Sequence, residues 1–166
     1  MTNETVRKKR PEYDSPIMRE RELIITQTWC INRGGIPKKL PVKLSIDFII
    51  VDNLEIGVEW LEVRERERWW NPYFLPVYKW KAMRQLAHIS KIPAGLLVYS
   101  LNDQCFHHWR MDPKNTYQCH WYDGNNESRD DPQDEEPMIW IPSSEFTAYE
   151  FDLIKPLPPI PEPDKD

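Results

Sequence analysis

The sequence predicts a single α/β domain in which a mixed central β-sheet is flanked by helices. Two helix-forming stretches and two pairs of strand-like segments follow one another in the order helix, strand pair, helix, strand pair. This order is typical of an α/β sandwich. The sequence has no Gly-rich phosphate loop, which argues against a nucleotide-binding fold. A chain of 166 residues is long enough for one such domain with its own core, and too short for two.

The two helices are marked by apolar side chains at helical spacing. The first is predicted over residues 16–31, where Ser15 followed by Pro16 forms an N-cap with proline at the first helical position. The run Asn-Arg-Gly-Gly at residues 32–35 is a strong signal for the end of this helix. The second helix is predicted over residues 77–91, with one apolar side.

The strands are marked by alternating or continuous apolar runs between turn signals. Residues 41–51 and residues 56–65 form the first predicted pair, joined by a turn at Asp-Asn. Residues 95–101 and residues 104–111 form the second pair, as a hairpin. Residues 138–142 are expected to add an edge strand.

The ends of the chain differ in composition from the domain. Residues 1–15 are expected to form a flexible arm, residues 16–155 the domain, and residues 156–166 a Pro-rich disordered tail. Residues 123–137 are strongly acidic and are predicted to be a loop within the domain. The acidic loop and the tail also suit a protein partner.

Composition narrows the class of protein. No apolar run approaches the roughly 20 residues that span a bilayer, and the polar N-terminus has no hydrophobic segment typical of a secretory signal. The three cysteines are too few and too widely spaced for a disulfide framework. We therefore expect a soluble, cytoplasmic protein with reduced thiols and no membrane partner.

Charge is unevenly distributed along the chain. The net charge of −5 argues against broad, nonspecific binding of nucleic acid. Between residues 64 and 91, however, seven Arg and Lys residues stand against two Glu residues. A local basic groove is therefore compatible with the acidic total.

Two acidic residues interrupt predicted apolar strands. Asp47 and Glu62 each stand between two large apolar residues. An ionised carboxylate in such a run is costly to bury unless it is paired or bound to a metal. Strand alternation places Arg64 on the same face as Glu62, and an antiparallel partner strand would bring Asp47 beside them.

This ordered set resembles the signature of the PD-(D/E)XK nuclease superfamily. In that signature an acid on one strand precedes acid-x-lysine on the next strand, after a helix that contributes a Glu; here Asp47 and Glu62-Val63-Arg64 stand at the strand positions. The likeness covers residues 17–111, through a further helix and an apolar strand. It implies a restriction-endonuclease-like core that hydrolyses phosphodiester bonds in DNA.

The resemblance also implies roles for the acids. Asp47 and Glu62, with the main-chain carbonyl of Val63, would ligate Mg²⁺ or Mn²⁺, hard cations that prefer oxygen ligands. Glu20 or Glu22 on the first helix would orient a water molecule. The family's lysine is replaced here by Arg64, which stays protonated and cannot act as a base.

The resemblance further implies contacts with DNA. Because arginine binds phosphate well, Arg64 would contribute to substrate binding, and Lys79 or Lys81 would supply the missing amine. DNA contacts are expected from the second helix and from an aromatic loop residue: Lys79, Lys81, Arg84, Gln85 and Trp70. Trp69 and Tyr73 are further candidates for base stacking. Many nucleases of this fold are dimers, so the resemblance is also compatible with a homodimer.

Other interpretations of the same residues stay open. Asp47, Glu62 and Arg64 would also suit structural ion pairs, which leads to a second hypothesis: a catalytically inactive relative that serves as a binding or assembly module. A third hypothesis is a zinc-stabilised interaction domain. Its candidate ligands are Cys105, His107, His108, Cys119 and His120. Because this set has no C-x-x-C pair, structural roles are favoured for it.

Overall fold

The computed structural model describes residues 15–41, 44–122 and 136–161. Two α-helices are present in these ranges, α1 (Pro16–Arg33) and α2 (Val77–Ser90), together with a short 3-10 helix at Ser143–Glu145. The strands are β1 (Ile36–Lys39), β2 (Phe48–Val51), β3 (Gly57–Arg66), β4 (Tyr73–Pro76), β5 (Ala94–Ser100), β6 (Cys105–Arg110), β7 (Cys119–Tyr122), β8 (Glu136–Ile141) and β9 (Thr147–Tyr149). Within the described ranges, no helix is both long enough and apolar enough to cross a membrane.

The strands form two sheets. The larger has the order β1-β2-β3-β5-β6-β9, in which β3 and β5 are parallel and the other neighbours are antiparallel. The smaller sheet has the order β4-β8-β7 and is antiparallel. The parallel pair is connected through β4 and α2, as a crossover connection requires. The predicted mixed sheet with flanking helices is therefore confirmed.

Helix α1 covers one face of the larger sheet. The Ser15 side chain caps its start by accepting a hydrogen bond from the main-chain N–H of Met18 at 3.2 Å, and Gly34, with a φ of 90°, ends it. Ile25 and Trp29 of the helix pack on a buried cluster that includes Leu61. This packing fixes the second half of α1 against β2 and β3.

Helix α2 and the smaller sheet cover the opposite face. Met83 is the fully buried residue of α2, and it packs with Leu75 of β4, Leu96 of β5 and Ile139 of β8. All seven residues of β5 are buried between the two layers. Alternation along β3 sends Leu61 toward α1, and the even-numbered residues beside it toward α2.

Several boundaries differ from the sequence-based expectations. The predicted strand over residues 41–51 begins only at Phe48, so Asp47 precedes β2, and residues 42–43 lie outside the described ranges. Residues 138–142 were expected at a sheet edge, but β8 is the central strand of the smaller sheet. Its partners β4 and β7, and the edge strand β1, are short and lack the long alternating pattern on which strand prediction depends.

The terminal segments are described only in part. The predicted flexible arm lies outside the described ranges except for Ser15, and the acidic loop except for residues 136–137. Residues 156–161 of the predicted disordered tail lie against the domain, where Leu157 packs on the cluster beneath α1 and the Pro158 carbonyl accepts a hydrogen bond from Arg21. Residues 162–166 lie outside the described ranges.

Candidate active site

Antiparallel pairing of β2 with β3 brings Asp47 and Glu62 together. Phe48 pairs with Leu61, so Asp47, one residue before Phe48, is next to Glu62, one residue after Leu61. The Asp47 carboxylate accepts a hydrogen bond from the main-chain N–H of Val63 at 2.9 Å. The pair is therefore held by strand register as well as by a direct hydrogen bond.

Glu62 is a buried carboxylate between two cations. Its side chain is 0% exposed, and its Oε1 lies 2.6 Å from Arg64 Nη2 and 2.9 Å from Lys79 Nζ. Lys79 reaches it from the first turn of α2 and also donates a hydrogen bond to Oε2 at 3.0 Å. Burial raises the pKa of Glu62 to about 7, and the nearby Asp47 adds to this, while Arg64 and Lys79 oppose it.

A second acid reaches Asp47 from α1. Lys39 of β1 places its Nζ 2.8 Å from Glu22 Oε2 and 3.6 Å from Asp47 Oδ1, and so joins the two carboxylates. Burial raises the pKa of Glu22, and the charge of Asp47 raises it further. Of the two helix acids considered from the sequence, the structure brings Glu22 to the site. Glu20 is half-exposed and pairs with Lys155 instead.

A comparison with known protein families matches most of the chain. Residues 8–149 match the family described as "Phage putative PDDEXK endonuclease". The chain belongs to this family. The match spans the acid pair, α2 and the hairpin of β5 and β6, and it confirms the resemblance to PD-(D/E)XK nucleases. No curated protein matches the chain.

Arg64 stands where the sequence comparison with the PD-(D/E)XK signature expects a lysine. Burial alone would lower the pKa of its guanidinium, but the surrounding acidic groups, Glu62 foremost and Asp47 among them, together outweigh burial and raise it. Arg64 therefore stays charged at every physiological pH. Lys79, on α2, provides an amine at the same carboxylate, and its side chain is only 12% exposed.

The remaining basic residues of α2 point elsewhere. Lys81 and Gln85 are exposed, and the structure does not bring them to Glu62. Arg84 stacks on Trp80, with Cζ 4.8 Å from the ring centroid, and donates a hydrogen bond to the Pro113 carbonyl. Because two residues of helix turn the side chain by about 200°, Lys79 and Lys81 lie on different sides of α2.

The aromatic candidates divide into one exposed ring and two packed ones. Trp70 is 47% exposed, and Arg68 Cζ lies 4.0 Å from its ring centroid. Trp69 stacks on His107 with ring centroids 3.9 Å apart, and Tyr73 is 2% exposed. Trp70 is thus the one of these three rings that a base could reach.

The cysteine and histidine residues considered as zinc ligands do not meet at one point. They belong to two strands of different sheets, β6 and β7. His107 stacks on Trp69, His108 pairs with Glu59 at 2.8 Å, and His120 stacks on Trp140. These contacts give the imidazoles structural partners.

The acid pair fits a divalent cation. All donors offered by Asp47, Glu62 and the Val63 carbonyl are oxygens, which magnesium and manganese prefer. Glu62 Oε1 is buried beside two cations yet makes no hydrogen bond of normal geometry, so it keeps a lone pair for a ligand. Among the described residues, no group of three or more His, Cys, Asp or Glu side chains is arranged to hold a metal. Asp47 and Glu62 are therefore the two side chains of this site that could ligate the cation.

Proposed function

We propose that the protein is a divalent-metal-dependent endonuclease that hydrolyses phosphodiester bonds in DNA. The observation that carries this proposal is the Asp47–Glu62 pair of a PDDEXK-family chain, with Glu62 on β3 and Asp47 just before the neighbouring strand β2. A fully buried carboxylate costs the fold free energy unless it is paired or bound to a metal, and burial raises the pKa of Glu62 even beside Arg64 and Lys79. Two neighbouring carboxylates also raise the free energy that it costs to ionise each of them, and a cation between them lowers that cost.

Asp47, Glu62 and the Val63 carbonyl would hold Mg²⁺ or Mn²⁺. When bound, the cation would supply Lewis-acid stabilisation of the charge that develops on the scissile phosphate. Asp47 is prepared for this role by its hydrogen bond to the Val63 main chain, which fixes its carboxylate. Glu22 lies next to Asp47 through Lys39 and would accept a hydrogen bond from the attacking water.

Arg64 and Lys79 would together take the roles of the lysine that the signature expects. Arg64 cannot give up its proton, so it would bind a phosphate oxygen and stabilise negative charge. Lys79 would be the amine that faces the reacting phosphate, since it reaches both oxygens of Glu62. Exposed Lys81 and Gln85 would contact the DNA backbone farther along α2.

A second candidate function is that of a catalytically inactive relative, which binds DNA or a protein partner. The observation in its favour is that Arg64 and Lys79 already neutralise Glu62 through two ion pairs. Such pairing would stabilise the site without a metal. The two functions differ in whether a divalent cation replaces these contacts.

Cleavage of labelled single-stranded, duplex and branched DNA with Mg²⁺ or Mn²⁺ tests the proposal. We expect cleavage by the wild-type protein, and its loss in Asp47→Ala and in Glu62→Ala. Glu20→Ala is the matched control, because Glu20 is an exposed acid on α1 away from the pair. Folded wild-type protein that cleaves none of these substrates, and that no divalent cation stabilises, would support the inactive relative instead.

A further inference from the structure

The strand that carries Glu62 continues as a row of positive charge. Arg64 and Arg66 lie on the same face of β3 as Glu62, because strand side chains alternate, and Arg68 follows just past the end of the strand. We call Arg64, Arg66 and Arg68 the arginine row. Two residues of strand advance about 6.6 Å, so Arg64 and Arg66 lead away from the acid pair at this spacing. Such a spacing suits the phosphates of one extended nucleic-acid strand.

Tyr73 lies beside the row. Arg66 Cζ lies 5.9 Å from the Tyr73 ring centroid. Burial raises the pKa of the Tyr73 hydroxyl, while the positive charges of Arg66 and Arg64 oppose that rise. Tyr73 is 2% exposed and packs in the core, so it is a rigid support for the arginine row.

Glu62 pairs with Arg64, but Glu65, which stands between Arg64 and Arg66, does not neutralise the row. Glu65 points to the opposite face of β3, where Arg21 holds it with hydrogen bonds of 2.7 and 2.9 Å. Arg66 and Arg68 are exposed. Within the described part of the chain, Arg66 contacts the Glu65 carbonyl and the Tyr73 ring, Arg68 contacts the Trp70 ring, and neither forms an ion pair with a carboxylate. Among the described residues, their charge is therefore left for a ligand.

Trp70 stands at the outer end of the row. The guanidinium of Arg68 lies 4.0 Å from its ring centroid, and 47% of the residue is exposed. Its neighbour Trp69 is fixed by His107 on one side and Phe146 on another. This packing holds the loop, so that Trp70 presents its ring outside the core. A fixed ring next to arginine is a stacking platform for a nucleobase.

We propose that the arginine row and Trp70 bind an unpaired DNA strand that leaves the acid pair. Phosphates would lie on the arginines, and a base would stack on Trp70. Bases inside a continuous duplex stack on one another and are not free for Trp70, so the substrate class is DNA with a single-stranded segment next to the scissile bond. The position of that bond rests on the proposed function; the binding of the strand does not.

Binding of one labelled oligonucleotide, as a single strand and as a duplex, tests this inference with Ca²⁺ in place of Mg²⁺. We expect Trp70→Ala to weaken single-strand binding about tenfold, within the range for loss of one stacked base, and duplex binding far less. Arg66→Gln with Arg68→Gln should reduce the salt dependence of single-strand binding by about 0.7 per arginine in log–log slope. The matched controls are Trp121→Ala, 72% exposed on β7, and Arg110→Gln, exposed at the opposite end of the larger sheet.

The outcomes separate this inference from the proposed function. Equal losses for single strand and duplex in Trp70→Ala, an equal loss in Trp121→Ala, or no single-strand binding by the wild type would each overturn the inference. If cleavage needs Asp47 and Glu62 but Trp70→Ala binds DNA as the wild type does, the nuclease function is supported and the strand-binding surface is refuted. Trp70-dependent binding without cleavage in Mg²⁺ or Mn²⁺ would refute the nuclease alone.

Discussion

Replacing Glu62 with glutamine preserves the shape of the side chain and removes its charge. The carboxylate is fully buried, and burial raises its pKa from the ordinary 4.5 to about 7, even with Arg64 and Lys79 in contact. One pKa unit corresponds to about 1.4 kcal/mol. The ionised form therefore costs the folded protein on the order of 3 kcal/mol relative to the unfolded chain.

The sign of this effect follows from proton linkage. Because the folded protein holds the Glu62 proton more tightly than the unfolded chain does, the free energy of unfolding falls as the pH rises from about 4.5 to about 7. Glutamine resembles the protonated acid and lacks this dependence. Without metal, we expect Glu62→Gln to be the more stable protein above about pH 7, and equal to the wild type below about pH 4.5.

Urea unfolding with a chelator measures the difference in stability between the wild type and Glu62→Gln at pH 8 and at pH 4.5. Repeating the pH 8 series with Mg²⁺ measures how much the metal stabilises each protein. A free concentration about 100 times Kd stabilises the wild type by about 2.7 kcal/mol, and we expect the variant to gain far less and to cleave no DNA. Glu65→Gln is the matched control: it strips the partner from the buried Arg21, so it should lower stability and keep the response to Mg²⁺.

Two results would refute this reasoning. If Glu62→Gln were less stable than the wild type at pH 8 in chelator, the attraction of Arg64 and Lys79 would outweigh the cost of burial. If the variant gained as much stability from Mg²⁺ as the wild type, Glu62 would not be a ligand.

Three further predictions concern other charged and buried groups. Lys79→Met should lower the rate of metal-dependent cleavage by about 10²- to 10³-fold, the usual cost of losing one charge-stabilising donor, whereas Lys38→Met, at an exposed lysine of β1 that pairs with Glu55, should leave the rate within about twofold; initial rates on one substrate compare them. Arg21→Met should destabilise the fold by about 3 kcal/mol in urea, because Glu65 stays buried without its partner, and adding Glu65→Leu should restore most of that loss; no recovery would contradict the assignment. Burial raises the pKa of the Cys30 thiol to about 12, so a thiol reagent at pH 8 should leave Cys30 unmodified in the native protein and modify it in denaturant, as peptide mass mapping would show.

The sequence predicted the parts of the fold that are long and periodic. Both helices and the hairpin of β5 and β6 lie within a few residues of their predicted bounds, because helical spacing and continuous apolar runs are strong signals. The four residues of β1 carry no such signal: Ile36–Lys39 is mostly exposed and contains a proline. Its place at the edge depends on pairing with β2, which is a tertiary contact.

The candidate site was predictable where chemistry and strand period coincide. Asp47 and Glu62 stood out as acids in apolar surroundings, and the register of β2 and β3 puts them side by side. Lys39 was missed, since nothing in its neighbourhood indicates that β1 folds back over Asp47. The choice between Glu20 and Glu22 also required the structure, because it depends on how α1 is rotated about its axis. Only packing against the sheet fixes that rotation.

The last described residues of the chain complete the packing of its first helix. Arg21 donates a hydrogen bond to the Pro158 carbonyl, which is 137 residues away in sequence. The Ile154 main-chain N–H donates a hydrogen bond to Thr28 Oγ1 on the same helix. During translation, α1 therefore leaves the ribosome long before its covering segment exists. Contacts of such separation slow folding, and they leave the apolar side of a nascent helix exposed to chaperones or to other chains. Production of this protein should accordingly benefit from slow synthesis at low temperature.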